Sequence, residues 1–237
     1  MDLDKFKKSI MQGKLKPVYL FYGEADLLKE EALNWYQEYL ATKNAGNLAL
    51  EIINEEIGLG ELIDSANTIP LFYPTKLIIV KDATYFAAKK TEGDKKESRV
   101  DDKAFLAYLE NPNPGSFIIL LAQGKPNSRK KIFQALAKAE MVVEFDLLKG
   151  RELLEWVRKG FSKHHKKISA RALDYLVTCV GTDLALLSQE ISKLILYAGE
   201  KQEEITFDSV KELVSQTPQV TIFNLVDAVA EGRGVAA

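Results

Sequence analysis

The residues best placed to do chemistry are Gly23 and Lys29, in the stretch Tyr22-Gly23-Glu24-Ala25-Asp26-Leu27-Leu28-Lys29-Glu30. The apolar run Pro17-Val18-Tyr19-Leu20-Phe21 before it reads as a strand, and Leu27–Leu40 after it reads as a helix. Strand, glycine turn and helix are the setting of a phosphate loop, G-x-x-x-x-G-K-[ST]. Its backbone amides cradle phosphates, its lysine reaches the β- and γ-phosphates, and its hydroxyl holds magnesium. Gly23 and Lys29 have that spacing, but Leu28 replaces the second glycine and Glu30 replaces the hydroxyl residue. A leucine side chain hinders close backbone approach, and a carboxylate repels phosphate. The acidic strand end that would hold magnesium is also missing, because Leu77-Ile78-Ile79-Val80 is followed by Lys81-Asp82-Ala83. Gly23, Leu28, Lys29 and Glu30 therefore predict a degenerate phosphate loop that does not bind ATP, with no cofactor implied. The competing reading is an active nucleotide hydrolase with an unusual loop.

A second candidate is the segment Ile69-Pro70-Leu71-Phe72-Tyr73-Pro74. The prolines stiffen the backbone and remove the amide donors needed to join a helix or sheet. The ordinary outcome for such residues is that Leu71 and Phe72 fold down onto the core. The sharper reading is an exposed apolar plug for a pocket on a partner. A third candidate is the basic run Lys125–Lys131, in which Arg129, Lys130 and Lys131 are candidate contacts for DNA or an acidic partner. It is continued by Arg158-Lys159 and by Lys163-His164-His165-Lys166-Lys167. No aromatic interleaving or recognition motif accompanies it, and a solvated face is the plainer reading. His164 and His165 are neighbours without a ligand cluster at metal spacing, so no metal site is expected. No nucleophile elbow and no Ser/His/Asp or Cys/His set is present, so no catalytic residue is assigned.

The elements that must position these residues follow from apolar periodicity. Short strands are predicted at Val18–Tyr22, Ala49–Asn54, Lys76–Lys81, Phe117–Ala122 and Val142–Phe145, and helices at Leu27–Leu40, Leu59–Asn67, Asp102–Glu110 and Ser128–Ala139. Such alternation implies a mostly parallel sheet covered on both faces, an α/β three-layer domain. After Gly150 the strands stop, and helices are predicted at Arg151–Lys163, Ser169–Val180, Leu184–Tyr197 and Phe207–Ser215. Ser169 and Thr182-Asp183 suit N-caps there, and Gly199 suits a helix end. The charged stretch Lys89–Ser98 reads as an exposed, mobile loop. An apolar stripe from Thr221 predicts one more helix that lacks a following partner, which suggests a truncated chain.

The chain of 237 residues is 46% hydrophobic and 28% charged, the composition of a globular protein with a sizeable core. Its formal charge of −2 gives no global case for nucleic-acid binding. The distribution is uneven: residues 125–171 hold 13 Lys/Arg against 5 Asp/Glu, a local +8 that leaves about −10 for the remainder. One cysteine, Cys179, sits in an apolar pattern and suits a buried position in a reducing compartment. No signal pattern and no apolar run of membrane-spanning length is found, so the expected location is the cytoplasm, away from membranes.

In combination these features resemble the delta-subunit family of the bacterial DNA polymerase III clamp loader, a divergent branch of the AAA+ superfamily. The match is carried, in the family's order, by four stretches. They are Pro17–Glu24 with Leu27-Leu28, and Ile69-Pro70-Leu71-Phe72 ahead of Lys76–Lys81. The others are Val142–Phe145 with Leu148–Leu153, and Ile222–Gly232. The resemblance implies an AAA+-like domain over residues 1–148, a small helical lid domain over 149–217, and the first helix of a collar domain over 218–237. It also implies a subunit that does not hydrolyse ATP, a non-catalytic part of the polymerase holoenzyme in DNA replication. Such a subunit binds the sliding clamp (the beta subunit), opens its ring for loading onto primed DNA, and assembles with other AAA+ loader subunits through the collar. The clamp-binding element it implies is the pair Leu71 and Phe72, flanked by Ile69 and Tyr73, which favours the exposed plug over the buried reading.

Overall fold

The computed structural model describes residues 1–68, 70–86, 97–200 and 202–215. Ile69, residues 89–96 of the charged stretch and the helix expected from Thr221 lie outside the described residues. The chain divides into two compact units, Met1–Asp146 and a second beginning at Leu147.

The first unit is built on five strands, β1 (Val18–Gly23), β2 (Leu48–Ile53), β3 (Thr75–Val80), β4 (Ser116–Gln123) and β5 (Val142–Glu144). They lie in the order β2-β3-β4-β1-β5, and every pairing is parallel. Among the described residues, five α-helices connect or cover them: α1 (Leu3–Met11), α2 (Asp26–Lys43), α3 (Leu59–Asn67), α4 (Glu97–Glu110) and α5 (Lys131–Lys138). β1, β3 and β4 are nearly continuous apolar runs because a parallel sheet buries both faces under its crossovers. Alternate residues serve the two sides. Val18, Leu20, Ile78, Val80, Ile118 and Leu120 join Leu62, Phe105, Ile132 and Leu136 in one core under α3, α4 and α5. Tyr19 and Phe21 point the other way, where Phe6 of α1 meets them edge-on at centroid distances of 4.9 and 5.2 Å. Tyr36 of α2 closes the cluster, 5.7 Å from Tyr19.

Helix α1 is absent from the sequence expectations. Its signal is short: Asp2 caps the first turn by accepting from the Lys5 amide at 2.8 Å, and Phe6 and Ile10, four residues apart, are buried. Two boundaries also shift. Helix α4 starts at Glu97, inside the stretch read as a loop, and α5 starts at Lys131, not Ser128. The later start arises because Asn127 organises a turn, accepting from the Arg129 amide on its Oδ1 at 3.0 Å and from the Lys130 amide on its carbonyl at 3.1 Å.

The second unit contains α6 (Gly150–Ser162), α7 (Ala170–Val180), α8 (Leu184–Ala198) and α9 (Phe207–Leu213). Ser169, Asp183 and Thr206 cap α7, α8 and α9 with their side-chain oxygens, and Asp183, not Thr182, is the cap of α8. Cys179 is buried. The expectation that strands end at Gly150 is corrected by β6 (Lys167–Ile168) and β7 (Glu204–Ile205), which pair in parallel. Two residues are too few to show periodicity, so these strands leave no local signal.

Replacing Phe6 with alanine removes the centre of the aromatic cluster. The expected loss is about 3–5 kcal/mol of unfolding free energy, read as a lower urea midpoint.

Candidate functional site

The sheet of the first unit has two edges that differ in chemistry. At its carboxyl edge β1 lies between β4 and β5. The chain leaves β1 toward β2 on one side, while the β4–β5 connection passes over β1 to the other. Such a switch point is where open α/β sheets hold ligands. Gly23 adopts φ +120°, and a Cβ there would lie 2.3 Å from the Phe145 carbonyl oxygen. The Ala25 amide donates to that oxygen at 3.0 Å, and the Phe145 amide donates to the Tyr22 carbonyl at 2.8 Å. Glycine is thus required here by the close passage of the chain's own backbone at Phe145, and the Ala25 amide, a natural phosphate donor, is already engaged.

Lys29 completes the closure. Its side chain is turned inward, and the residue is only 3% exposed. Its Nζ donates to the Gly23 carbonyl at 2.8 Å and pairs with Asp26 Oδ1 at 2.7 Å, with the Ala122 carbonyl of β4 at 3.4 Å. Leu28 is buried beside it, while Glu30 is exposed. A triphosphate would have to displace one carboxylate and two carbonyl oxygens to reach this ammonium. The ammonium at the phosphate-loop position is thus held by the chain's own oxygens.

The amino edge is built differently. Leu71 and Phe72 stand out from the start of β3, 87% and 82% exposed, with Tyr73 at 43%. They do not fold onto the core. Their mount is polar and largely buried. Lys76, the second residue of β3, is 8% exposed. Its Nζ pairs with Glu51 Oε2 of β2 at 2.6 Å and donates to the Ser65 carbonyl at 3.0 Å and the Ser65 Oγ at 2.9 Å. Ser65 in turn donates to Glu51 at 2.8 Å. Burial alone would push the Glu51 carboxyl up, but hydrogen bonds from Lys76 and Ser65 and the Lys76 charge outweigh it and hold the carboxyl below its ordinary value. The Ala66 carbonyl accepts from Ser116 Oγ at 2.6 Å and from Asn113 Nδ2 at 2.9 Å. Thr75 donates to Asn44 Oδ1 at 2.9 Å. The sequence signal for this group is slight, a single lysine near the start of an otherwise apolar strand.

The basic candidates are not one surface in kind. Arg129 and Lys131 are exposed, but Lys130 donates to the Tyr85 carbonyl and is part of the fold. In the second unit Lys166 donates to the Gln202 carbonyl at 2.8 Å, and the Arg171 guanidinium lies 4.0 Å from the centre of the Phe207 ring. His164 and His165 are exposed. Among the described residues no group of three or more His, Cys, Asp or Glu is arranged to hold a metal, and no helix is long and apolar enough to cross a membrane.

A family model described as DNA polymerase III, delta subunit, matches residues 19–146, and one described as a middle domain matches residues 149–212. The chain is 30% identical over 230 residues to DNA polymerase III subunit delta of Bacillus subtilis (strain 168). That alignment covers 95% of this chain and 65% of the relative, so the chain spans about two-thirds of the relative's length. Among solved structures, the Bacillus subtilis DNA clamp loader delta protein superimposes with a TM-score of 0.70 at 29% identity, over 97% of this chain and 67% of that one. A chain of the E. coli MS115-1 HORMA:CdnC:Trip13 complex gives a TM-score of 0.51 at 14% identity over 85% of this chain and 76% of that one, a likeness of fold alone.

The Lys29 geometry makes a direct prediction. Lys29→Met leaves carbonyl oxygens unpaired in a buried crevice, and thermal or urea unfolding should show a loss of about 1–3 kcal/mol.

Proposed function

The chain belongs to the DNA polymerase III delta-subunit family, and we propose that it acts in a clamp loader as the subunit that grips the sliding clamp without turning over ATP itself. The observation that carries this reading is the exposure of Leu71 and Phe72, two large apolar side chains held out from the amino edge of the sheet. Side chains of this size, entering an apolar pocket, are the anchors that dominate protein interfaces. The inward-turned Lys29 supports the second half of the proposal, since its ammonium is engaged by Asp26 and by the Gly23 and Ala122 carbonyls.

Ring opening then follows from differential binding. A subunit shifts the clamp between closed and open forms only by the difference in its affinity for the two. Leu71 and Phe72 supply anchorage, and neighbouring surface contacts favour the opened interface. ATP-driven changes in the other loader subunits expose or hide the plug, so the energy source and the gripping surface sit on different chains. Primed DNA meets the assembled loader, with Arg129 and Lys131 as exposed cations that can approach its phosphates.

The test is surface plasmon resonance against the organism's sliding clamp. Leu71→Ala/Phe72→Ala should weaken binding by about 100-fold or more, with the melting temperature unchanged because both side chains are already in water. Unchanged affinity would overturn the assignment. ATP turnover by the isolated chain that disappears on Lys29→Ala would favour the hydrolase reading instead.

A further inference from the structure

The plug at Leu71 and Phe72 joins the last turn of α3 to the first residues of β3, and one buried ammonium holds both ends. Lys76 enters from β3, binds Ser65 in the last turn of α3 through both the carbonyl and the hydroxyl, and is neutralised by Glu51 from β2. A second set of bonds repeats the pattern from the opposite side. Ser116 and Asn113 hold the Ala66 carbonyl, Asn113 Oδ1 accepts from the Gly115 amide at 3.0 Å, and the Gly115 carbonyl accepts from the Lys76 amide at 2.8 Å. The carbonyls at the end of α3 have no continuing helix to satisfy them. They are collected by side chains and backbone that also fix where β3 begins.

An ion pair with one buried and one half-exposed partner is a poor device for raising stability, because desolvation of the ammonium offsets much of the Coulomb gain and solvent screens the carboxylate. What it provides is direction: the ammonium is satisfied only when β2, β3 and the end of α3 keep one arrangement. An anchor on a fixed mount loses less freedom on docking than one on a loose loop. We infer that Lys76, Glu51 and Ser65 are positioning residues for the plug: a cross-link beneath it that presents Leu71 and Phe72 preorganised for the clamp. This rests on the clamp-binding reading of the same pair, and the cross-link itself is measurable without the clamp.

The test compares wild type, Lys76→Met/Glu51→Leu and Ser65→Ala in the full chain, by hydrogen exchange over residues 66–76, by melting temperature and by clamp affinity. The double variant replaces the ions with apolar volume. It also strips the Ser65 hydroxyl of both its partners, so its melting temperature should fall slightly, while it should exchange faster over 66–76 and bind the clamp about tenfold more weakly, more than the lost stability accounts for. Ser65→Ala removes one hydroxyl and should move exchange and affinity the same way by about threefold. Unchanged exchange in both variants would overturn the cross-link. Faster exchange with unchanged clamp affinity, or an affinity loss that merely follows a lowered melting temperature, would overturn the positioning role. A wild-type chain that fails to bind the clamp would instead overturn the proposed function, and exchange would still decide whether Lys76 fixes the segment.

Discussion

A parallel sheet must bury both of its faces, and that constraint shapes everything else in the first unit. Each crossover helix covers one side of the strands it connects, so β1, β3 and β4 carry apolar residues toward both layers. Across β1, β3 and β4 neither face is left open, whereas the edge strand β2 keeps Leu50 and Ile52 partly exposed. What remains are the two edges, where strands end and backbone groups need partners. At the carboxyl edge near Gly23 and the amino edge near Leu71-Phe72 the chain meets this need in opposite ways.

Both edges are organised by a buried lysine. At the carboxyl edge Lys29 binds the carbonyls at the ends of β1 and β4 and is balanced by Asp26, and Phe145 crosses the turn so closely that only glycine fits. The place where related folds receive a ligand is filled by the protein itself. At the amino edge Lys76 performs the same chemistry, but its effect is to stiffen a mount and leave apolar side chains in water. One ammonium closes a crevice and the other supports a projection. The difference lies in what surrounds each charge: inward carbonyls and a passing backbone for Lys29, a proline-flanked loop for Lys76.

Much of this was legible in the residues. The strands lie within one or two residues of their expected positions because buried parallel strands are short apolar runs between turn residues. The defects of the phosphate loop, Leu28 and Glu30, were visible as letters at fixed spacing. Other features were not. Helix α1 rests on an Asp2 cap and two apolar residues, Phe6 and Ile10, too few to stand out. Strands β6 and β7 have two residues each. The basic run looked uniform, yet Lys130, Lys166 and Arg171 are taken up by Tyr85, Gln202 and Phe207, contacts that lie far away in sequence.

The amino-acid sequence by itself determined the alternation of strands and helices, the burial of both sheet faces, and the absence of a second glycine and a magnesium ligand from the turn at Gly23. These are local properties, set by residue type and by periods of two and 3.6. The tertiary structure alone decided that Lys29 points inward, that Gly23 makes room for Phe145, and that Leu71 and Phe72 stand in solvent above Lys76. Each of those outcomes depends on groups distant in the chain, such as Lys29 and the Ala122 carbonyl, separated by 93 positions. No spacing rule encodes such a pair, because its partners meet only after the sheet has placed β1 beside β4.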